Sequence, residues 1–335
     1  MPPTPLTRDA GIAVPIVCGA MYPCSNPELV AAASQAGGLG VLQPISLTYV
    51  HGYTLRAGIQ KIRSLTDRPI GMNALIEQSS KLYQRRMEEW IDTALEEGVR
   101  FFITSLGKPD WVVQRVEPVG GCVYHDVTER KWAQKGVDGG VHGLIAVNSR
   151  AGGHPGPLDA RAVLDDVGDL GLPVVCAGGV GNEEDFVAAL RMGYAGVQMG
   201  TRFIATDECT ASAEYKQAIV DVEEKDIVHS ERLTGVPVAV INTPSVRKLG
   251  LRAGPLARWM LRGRRTKHWM RTIYALKSLR QLRRSLHATS VQADYWQAGK
   301  SVSGIGIVEP VALIVDRFVE AARSAGLPVT HTNDR

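Results

Sequence analysis

Short apolar runs alternate with longer amphipathic stretches from the start of the chain to about residue 225. The runs are rich in β-branched residues, whereas the stretches between them place apolar residues at helical intervals. Alternation of this kind is typical of βαβ units, in which helices join parallel strands. The pattern predicts eight strands, at Pro15–Met21, Gly38–Leu42, Pro69–Leu75, Val99–Ser105, Gly121–Val127, His142–Asn148, Pro173–Gly178 and Gly196–Thr201.

Helices are predicted between these strands, and several carry sequence signals at their ends. Asn26 stands where a capping side chain is favoured, and Pro27 follows it at the first helical position. Gly37 and Gly193 stand just after helix ends, where a left-handed residue is wanted. The amphipathic stretches predict helices at Pro27–Ala36, Val50–Leu65, Tyr83–Glu97, Asp110–Val116, Thr128–Lys135, Asp159–Gly168, Glu183–Met192 and Glu309–Ala325.

Eight strands at this spacing predict an α/β fold, the TIM (β/α)8 barrel, in which the sheet closes on itself. A doubly wound open sheet is the alternative, but the GxGxxG fingerprint expected after its first strand is absent. The predicted organisation is a barrel over 1–225, a basic helical cap or substrate segment over 226–293, and a C-terminal return to the barrel over 294–335.

The distribution of charge is informative only after the barrel pattern ends. The formal net charge of the 335-residue chain is +4, yet no Asp or Glu occurs from Arg232 to Ala293. Apolar residues recur at helical intervals between Arg247 and His287, which predicts two basic amphipathic helices joined near Gly263. They would cap the barrel mouth, or dock the anionic tail of coenzyme A or an acyl-carrier protein. Contact with a membrane surface or with nucleic acid is a further alternative, and nucleic acid is the weaker of the two because no binding motif is recognised.

Cysteine usage and hydropathy disfavour several classes of protein. The five cysteines are odd in number and form no CxxC pair, which argues against a disulfide framework and a zinc cluster. The N-terminus lacks the basic start and apolar run of a signal peptide, and no apolar run of about 20 residues occurs. We therefore expect a cytoplasmic protein without a membrane span or a bound metal. The oligomeric state is left open, and a homo-oligomer is one alternative.

Two glycine turns stand at the ends of the last two predicted strands. Gly178 and Gly179 lie in PVVCAGGVGNEEDF, whereas Gly200 and Thr201 lie in GVQMGTRF. Glycine lets backbone N–H groups converge on an anion, and a phosphate site after strands seven and eight is common in these barrels. Plain tight turns are the alternative, but the tandem arrangement favours a phosphate site.

A histidine loop follows the sixth predicted strand. His154 lies between Gly152–Gly153 and Pro155–Gly156, above the predicted phosphate site. Neutral imidazole can accept a proton near neutral pH, so His154 is the candidate catalytic base, with a structural role as the alternative. His125 and His142 lie on strands without metal-ligand spacing, and we interpret them as packing residues or as supports for residues that contact a ligand.

These segments resemble the nitronate monooxygenase family, formerly called 2-nitropropane dioxygenases, in a superfamily that also holds FMN enoyl reductases and NADH:quinone reductases. The resemblance spans about residues 10–210, with a weaker echo at AGKSVSGIG, Ala298 to Gly306, which would form a loop near the flavin. It is carried by PIVCGAM, AAASQAGGLGVL, DRPIGMNALI, AGGHPG, VVCAGGV and GVQMGTRFIATDEC.

The resemblance implies FMN as the cofactor, and His154 matches the family's active-site histidine. Two segments depart from the family pattern: Tyr124 to Val127, where some relatives place a lysine, and Asn148 to Arg150, where a Gln-Gly type is common. Arg150 would meet an anionic substrate. The implied cofactor-binding residues are Gly19, Ala20, Met21, Asn73, Gly152, Gly153, Ala177, Gly178, Gly179, Gln198, Gly200 and Thr201.

The implied family reaction is the oxidation of an alkyl nitronate by oxygen to a carbonyl compound and nitrite. The alternative enzyme is an NAD(P)H-dependent FMN reductase of a quinone or of an enoyl thioester carried by coenzyme A or an acyl-carrier protein. A non-catalytic flavin-binding barrel is the third interpretation, which the intact AGGHPG segment disfavours.

Overall fold

The eight predicted strands form a closed parallel barrel in a computed structural model of the chain. The structure describes residues 4–76, 81–252, 254, 280–284, 286, 295–327 and 329. Neighbouring strands pair in sequence order, and the barrel closes where Val17 of the first strand pairs with Gln198 of the last. The barrel strands are β1 Ile16–Cys18, β2 Leu39–Leu42, β3 Ile70–Leu75, β4 Phe101–Ser105, β5 Cys122–Val127, β6 Gly143–Val147, β7 Val174–Ala177 and β8 Gly196–Met199.

The predicted helices are present, with shifts at their ends. The helix expected from Val50 begins only at Leu55, because Gly52 takes a positive φ of 75° and the Thr54 side chain caps Ala57 N. Asn26 occupies the expected cap position but makes no capping hydrogen bond. The helices are α1 Pro5–Ala10, α2 Pro27–Gln35, α3 Leu55–Arg63, α4 Lys81–Glu96, α5 Asp110–Val116, α6 Arg130–Asp138, α7 Ala160–Val167, α8 Glu183–Met192, α9 Thr201–Ile204, α10 Ala213–Asp221, α11 Pro244–Leu249 and α12 Val311–Ser324.

The interior of the barrel is apolar in its lower layers and is closed at the amino end by α1. Leu6 and Ala10 of α1 pack on the inward-facing side chains of the strands. Tyr124, on β5, donates a hydrogen bond to Asp9 Oδ2 at 2.8 Å, which ties α1 to the inside of the barrel. Polar groups are therefore left for the carboxyl end of the strands, where the predicted site lies.

The C-terminal helix completes the outer ring of the barrel. Helix α12 packs on α8 and α2, and Phe318 stacks on Phe186 with ring centroids 5.4 Å apart. It thus takes the place of a full helix directly after β8, where only the short α9 occurs. The chain therefore packs on the barrel again at this helix.

The segment between α10 and α12 begins as a β-hairpin that the sequence pattern does not predict. Strands β9 Ile227–Ser230 and β10 Val238–Ile241 pair antiparallel outside the barrel. The basic helices predicted around Gly263 lie outside the described residues, apart from the short α11 and residues 280–284. Among the described residues, no helix is long and apolar enough to cross a membrane. The division of the chain into segments stays a prediction.

Candidate active site

Four polar side chains line the carboxyl end of the barrel interior. Strand alternation points Asn73, Asp126 and Gln198 inward from β3, β5 and β8, and Gln43 follows the inward Val41 of β2. One oxygen of each is buried and has no hydrogen-bond partner among the described residues: Gln43 Oε1, Asn73 Oδ1, Asp126 Oδ1 and Gln198 Oε1. Leaving a buried acceptor unpaired is unfavourable by about 1–3 kcal/mol, so four of them together indicate a ligand that supplies donors.

The sequence analysis does not identify two of these four polar residues as site residues. Gln43 lies just beyond β2, where no family motif marks it, and Asp126 enters only as a departure from the family pattern. The signal that would have found both is the same: a polar residue in register with inward apolar positions at the carboxyl end of a barrel strand.

The junction of β1 and β8 brings four of the predicted cofactor residues together. A Cβ on Gly19 would lie 2.9 Å from Cγ of Gln198, and one on Gly200 would lie 3.3 Å from Sδ of Met21. The Ser25 hydroxyl accepts a hydrogen bond from Met21 N at 2.8 Å. Ala20 follows Gly19 and packs on the interior cluster. The two glycines therefore let the backbone approach the side chains of Gln198 and Met21 more closely than a larger residue would allow.

The turn after β7 holds Gly178 in a conformation that a side chain would disrupt. Gly178 has a φ of 115°, and a Cβ there would lie 2.5 Å from Asn148 Oδ1 and 2.6 Å from Ala151 N. Asn148 is fully buried, and its Nδ2 donates to Gly178 O at 2.9 Å while its Oδ1 accepts from Arg150 N at 2.8 Å. Ala177 ends β7, and Gly179 follows with a φ of 83°. Asn148 thus locks the glycine turn to the start of the histidine loop.

Thr201, which follows β8, is joined to the AGKSVSGIG segment. Its Oγ1 accepts a hydrogen bond from Gly299 N at 2.9 Å, and a Cβ on Gly299 would lie 2.6 Å from Gly152 N. Three backbone segments therefore approach one another more closely than side chains would allow. The AGKSVSGIG segment thus lies beside Thr201 and Gly152, and its predicted place near a flavin stays a prediction.

His154 lies on the exposed histidine loop, which is held by the hairpin. Gly153 has a φ of 66°, and its carbonyl accepts a hydrogen bond from Ala239 N of β10 at 2.8 Å. His154 Nε2 lies 3.2 Å from the Thr234 hydroxyl. The ring is open to solvent, but the protein around it partly desolvates it and lowers the pKa of His154. The imidazole is therefore neutral near pH 7 and can take up a proton.

Arg150 already has a carboxylate partner. Its Nη1 lies 2.7 Å from Glu224 Oε2, and the same carboxylate meets Lys300 Nζ at 3.2 Å through Oε1. Its side chain also covers Gly179, where a Cβ would come within 2.9 Å of Arg150 Nε. Arg150 thus lies beside the glycine turn, and contact with a substrate would require the guanidinium to leave or share Glu224.

One buried acid and two histidines are further titratable groups on or beside the strands. Burial raises the pKa of Asp126 to about 7. His125 is buried with Nδ1 at 2.8 Å from Thr104 Oγ1, and desolvation lowers its pKa to about 4. His142 Nδ1 accepts from Val123 N at 3.2 Å. Each histidine thus makes a hydrogen bond within the barrel wall, and the described residues contain no cluster that could hold a metal ion.

Comparisons with known proteins agree with this arrangement. The nitronate monooxygenase family matches residues 4–309. A (3aS,4S,5R,7aS)-5-hydroxy-7a-methyl-1-oxo-octahydro-1H-indene-4-carboxyl-CoA dehydrogenase from Rhodococcus jostii is 33% identical over 247 residues, which cover 73% of this chain and 67% of that protein. A probable nitronate monooxygenase from Staphylococcus saprophyticus is 29% identical, covering 73% of this chain and 80% of that protein.

A solved structure extends the likeness to nearly the whole chain. FabK from Thermotoga maritima superposes with a TM-score of 0.79 at 25% identity, over 97% of this chain and 98% of that one. One family model thus matches most of the chain. The matched part includes the closed parallel barrel, the glycine turns after β7 and β8 and the exposed histidine loop. The chain belongs to the nitronate monooxygenase family.

Proposed function

We propose that the protein is an FMN-dependent oxidoreductase in which His154 moves the proton at the reacting carbon of the substrate. The observation that carries this proposal is the layer of four unpaired acceptors at Gln43, Asn73, Asp126 and Gln198, beside the glycine turns. A flavin ring offers N–H and polar edge atoms to such a layer, and its phosphate suits converging backbone amides.

The residues divide between the two ends of such a cofactor. Backbone N–H groups of Gly178, Gly179, Gly200 and Thr201 would hold the phosphate, with Gly152 and Gly153 alongside. Gly19, Ala20, Met21, Asn73, Ala177 and Gln198 would contact the ring and its ribityl chain. When bound, the flavin would supply the redox chemistry, taking up or giving a hydride or single electrons. The chain's own groups hold it, keep water from its floor and move protons above it.

His154 would carry out the proton transfer. A carbon next to a nitro group or a thioester carbonyl is acidic, because the electron pair left by the departing proton is delocalised onto oxygen. A neutral imidazole accepts that proton, and the substrate keeps the electron pair as a nitronate or an enolate. A nitronate that arrives as the anion needs only a hydrogen bond from the same ring. A base positioned in this way contributes typically about 10²–10⁴-fold to the rate.

We place alkyl nitronates first among substrates, with oxygen as the electron acceptor and a carbonyl compound and nitrite as products. The family match and the relative from Staphylococcus saprophyticus support this choice. Anaerobic mixing of the purified yellow protein with a nitronate should bleach the flavin absorbance without any pyridine nucleotide. Bleaching by NADH or NADPH alone would instead identify a reductase. Protein that is colourless and takes up no added FMN would overturn the proposal.

The variant His154→Ala tests the base directly. We expect it to retain flavin but to lose about 10²–10⁴-fold in turnover with a neutral nitroalkane, because the imidazole is the proposed proton acceptor. His229→Ala is the matched control. His229 is also exposed, and it lies on β9 of the hairpin that contacts the histidine loop. Full activity of His154→Ala on every oxidised substrate would remove His154 from the reaction.

A second candidate substrate is an acyl-coenzyme A thioester. The relative from Rhodococcus jostii is named for such a substrate, and it is more similar to this chain than the nitronate monooxygenase from Staphylococcus saprophyticus. The acid-free segment from Arg232 to Ala293 would suit the anionic coenzyme A tail. If so, catalytic efficiency with a thioester should fall steeply with added salt, because screening weakens exposed charge contacts. An efficiency independent of salt would remove this candidate.

A further inference from the structure

The hydroxyl of Thr234 is shared between the histidine loop and its own hairpin turn. Thr234 lies half-buried between β9 and β10. Its Oγ1 lies 2.8 Å from the carbonyl oxygen of Val236 and 3.2 Å from His154 Nε2. Val236 N approaches the same oxygen at 3.4 Å. A carbonyl can only accept, so the bond to Val236 O uses the single hydrogen of the hydroxyl.

The direction of the hydrogen bond to His154 follows. With its hydrogen on the Val236 carbonyl, Thr234 Oγ1 can meet Nε2 only as an acceptor, so Nε2 carries the proton. A neutral imidazole has one N–H, which leaves the lone pair on Nδ1. We propose that Thr234 is a positioning residue that holds His154 as the Nε2–H form and makes Nδ1 the atom that takes the proton. This inference rests on the proposed role of His154.

The hairpin is built firmly enough to hold this geometry. Ala239 N donates to Gly153 O at 2.8 Å, and Ile241 N donates to Trp296 O at 2.9 Å, so β10 is tied to the histidine loop and to the chain before α12. Leu233 and Val238, on either side of the turn, are fully buried in a small apolar cluster of their own. The turn therefore presents the Thr234 hydroxyl to the imidazole at a set position.

The proton step is then assigned to one atom. Nδ1 of His154 forms a bond to the hydrogen that leaves the substrate carbon, and the electron pair of the broken C–H bond stays on the substrate. The positive charge that develops on the imidazolium is shared through Nε2–H with the Thr234 oxygen. Thr234 contacts neither substrate nor flavin in this scheme and acts only through His154.

Nitrogen NMR of the holoenzyme with 15N-labelled histidine tests the assignment without turnover. The signals of His154 are identified by their loss in His154→Ala, among the 8 histidines of the chain. We expect a protonated Nε2 and an unprotonated Nδ1, with the Nε2–H proton slowed in exchange by its hydrogen bond. Thr234→Ser should keep this resonance, whereas Thr234→Val should lose it and lower kcat about three- to tenfold, the size of one lost hydrogen bond. Flavin content and the melting temperature confirm that each variant folds.

The outcomes separate this inference from the proposed function. Nδ1 protonated in the unaltered enzyme would overturn the role of Thr234 even if His154 is the base. An Nε2–H resonance and a kcat that do not change in Thr234→Val would overturn it as well. If His154→Ala were fully active, the proposed function would fail, while the nitrogen spectrum would still report whether Thr234 sets the form of the ring.

Discussion

The glycine turn after β7 makes a quantitative prediction about the variant Gly178→Ala. An alanine would have to keep a φ of 115°, which is unfavourable for an L residue by about 1–2 kcal/mol. Its Cβ would also lie 2.5 Å from Asn148 Oδ1 and 2.6 Å from Ala151 N. Relief of this contact would break hydrogen bonds of the buried Asn148, at about 1 kcal/mol each. We expect the free energy of unfolding to fall by about 3–4 kcal/mol in total.

Gly193→Ala is the matched control, because Gly193 has a similar φ of 108° and nothing within 4 Å of its added Cβ. It should show the backbone strain alone, about 1–2 kcal/mol. Urea unfolding of both variants then isolates the contact with Asn148 and Ala151 as the difference. Titration with FMN should show binding weakened at least about tenfold in Gly178→Ala, since a displaced amide loses a hydrogen bond to a charged group. Gly193→Ala should bind FMN normally.

Equal stability of the two variants would refute the steric argument. Normal FMN affinity in a destabilised Gly178→Ala would preserve the packing argument but remove Gly178 from the phosphate site. The two measurements therefore test separate claims: urea unfolding tests the geometry of the turn, and the FMN titration tests what the turn binds.

Two further predictions concern buried charges. Glu309→Ala should lower the free energy of unfolding, measured in urea, by about 3–5 kcal/mol, because it would leave the buried Arg202 without its carboxylate partner. Glu309 Oε1 lies 3.6 Å from Arg202 Nη1, and Glu309 also pairs with Arg317. A change below about 1 kcal/mol, the size expected of a surface pair, would contradict this prediction. Burial raises the pKa of Asp126 from its ordinary 3.8 to about 7, so the folded state holds this proton more tightly, and the stability it provides is lost as pH rises from about 4 through 7. In the cofactor-free protein Asp126→Asn should therefore gain stability over the unaltered chain as pH rises, up to about 4 kcal/mol at pH 8. Parallel pH profiles of the free energy of unfolding for the two proteins would refute the reasoning.

The barrel and the glycine turns could be read from the sequence because both are encoded locally. A strand buried on both faces must be a continuous apolar run, and a helix over it must be apolar at every third or fourth residue, so the alternation of the two is visible in the sequence itself. Gly178 and Gly200 stand at strand ends within such units, and His154 is framed by glycine and proline neighbours. Each of these signals is contained within a few residues of the chain.

The remaining parts of the site depend on contacts between distant segments. Thr234 and His154 are 80 positions apart, and nothing near either residue indicates that a hairpin outside the barrel brings them together. Helix α1 closes the barrel through Asp9 and Tyr124, which are 115 positions apart. The role of Gln43 emerges only when closure of the sheet sets its side chain in one layer with three acceptors from other strands. Local pattern determines which elements form, since propensity and burial act within a turn or a strand. Tertiary packing decides which side chains meet, since closing a long loop depends on the whole fold.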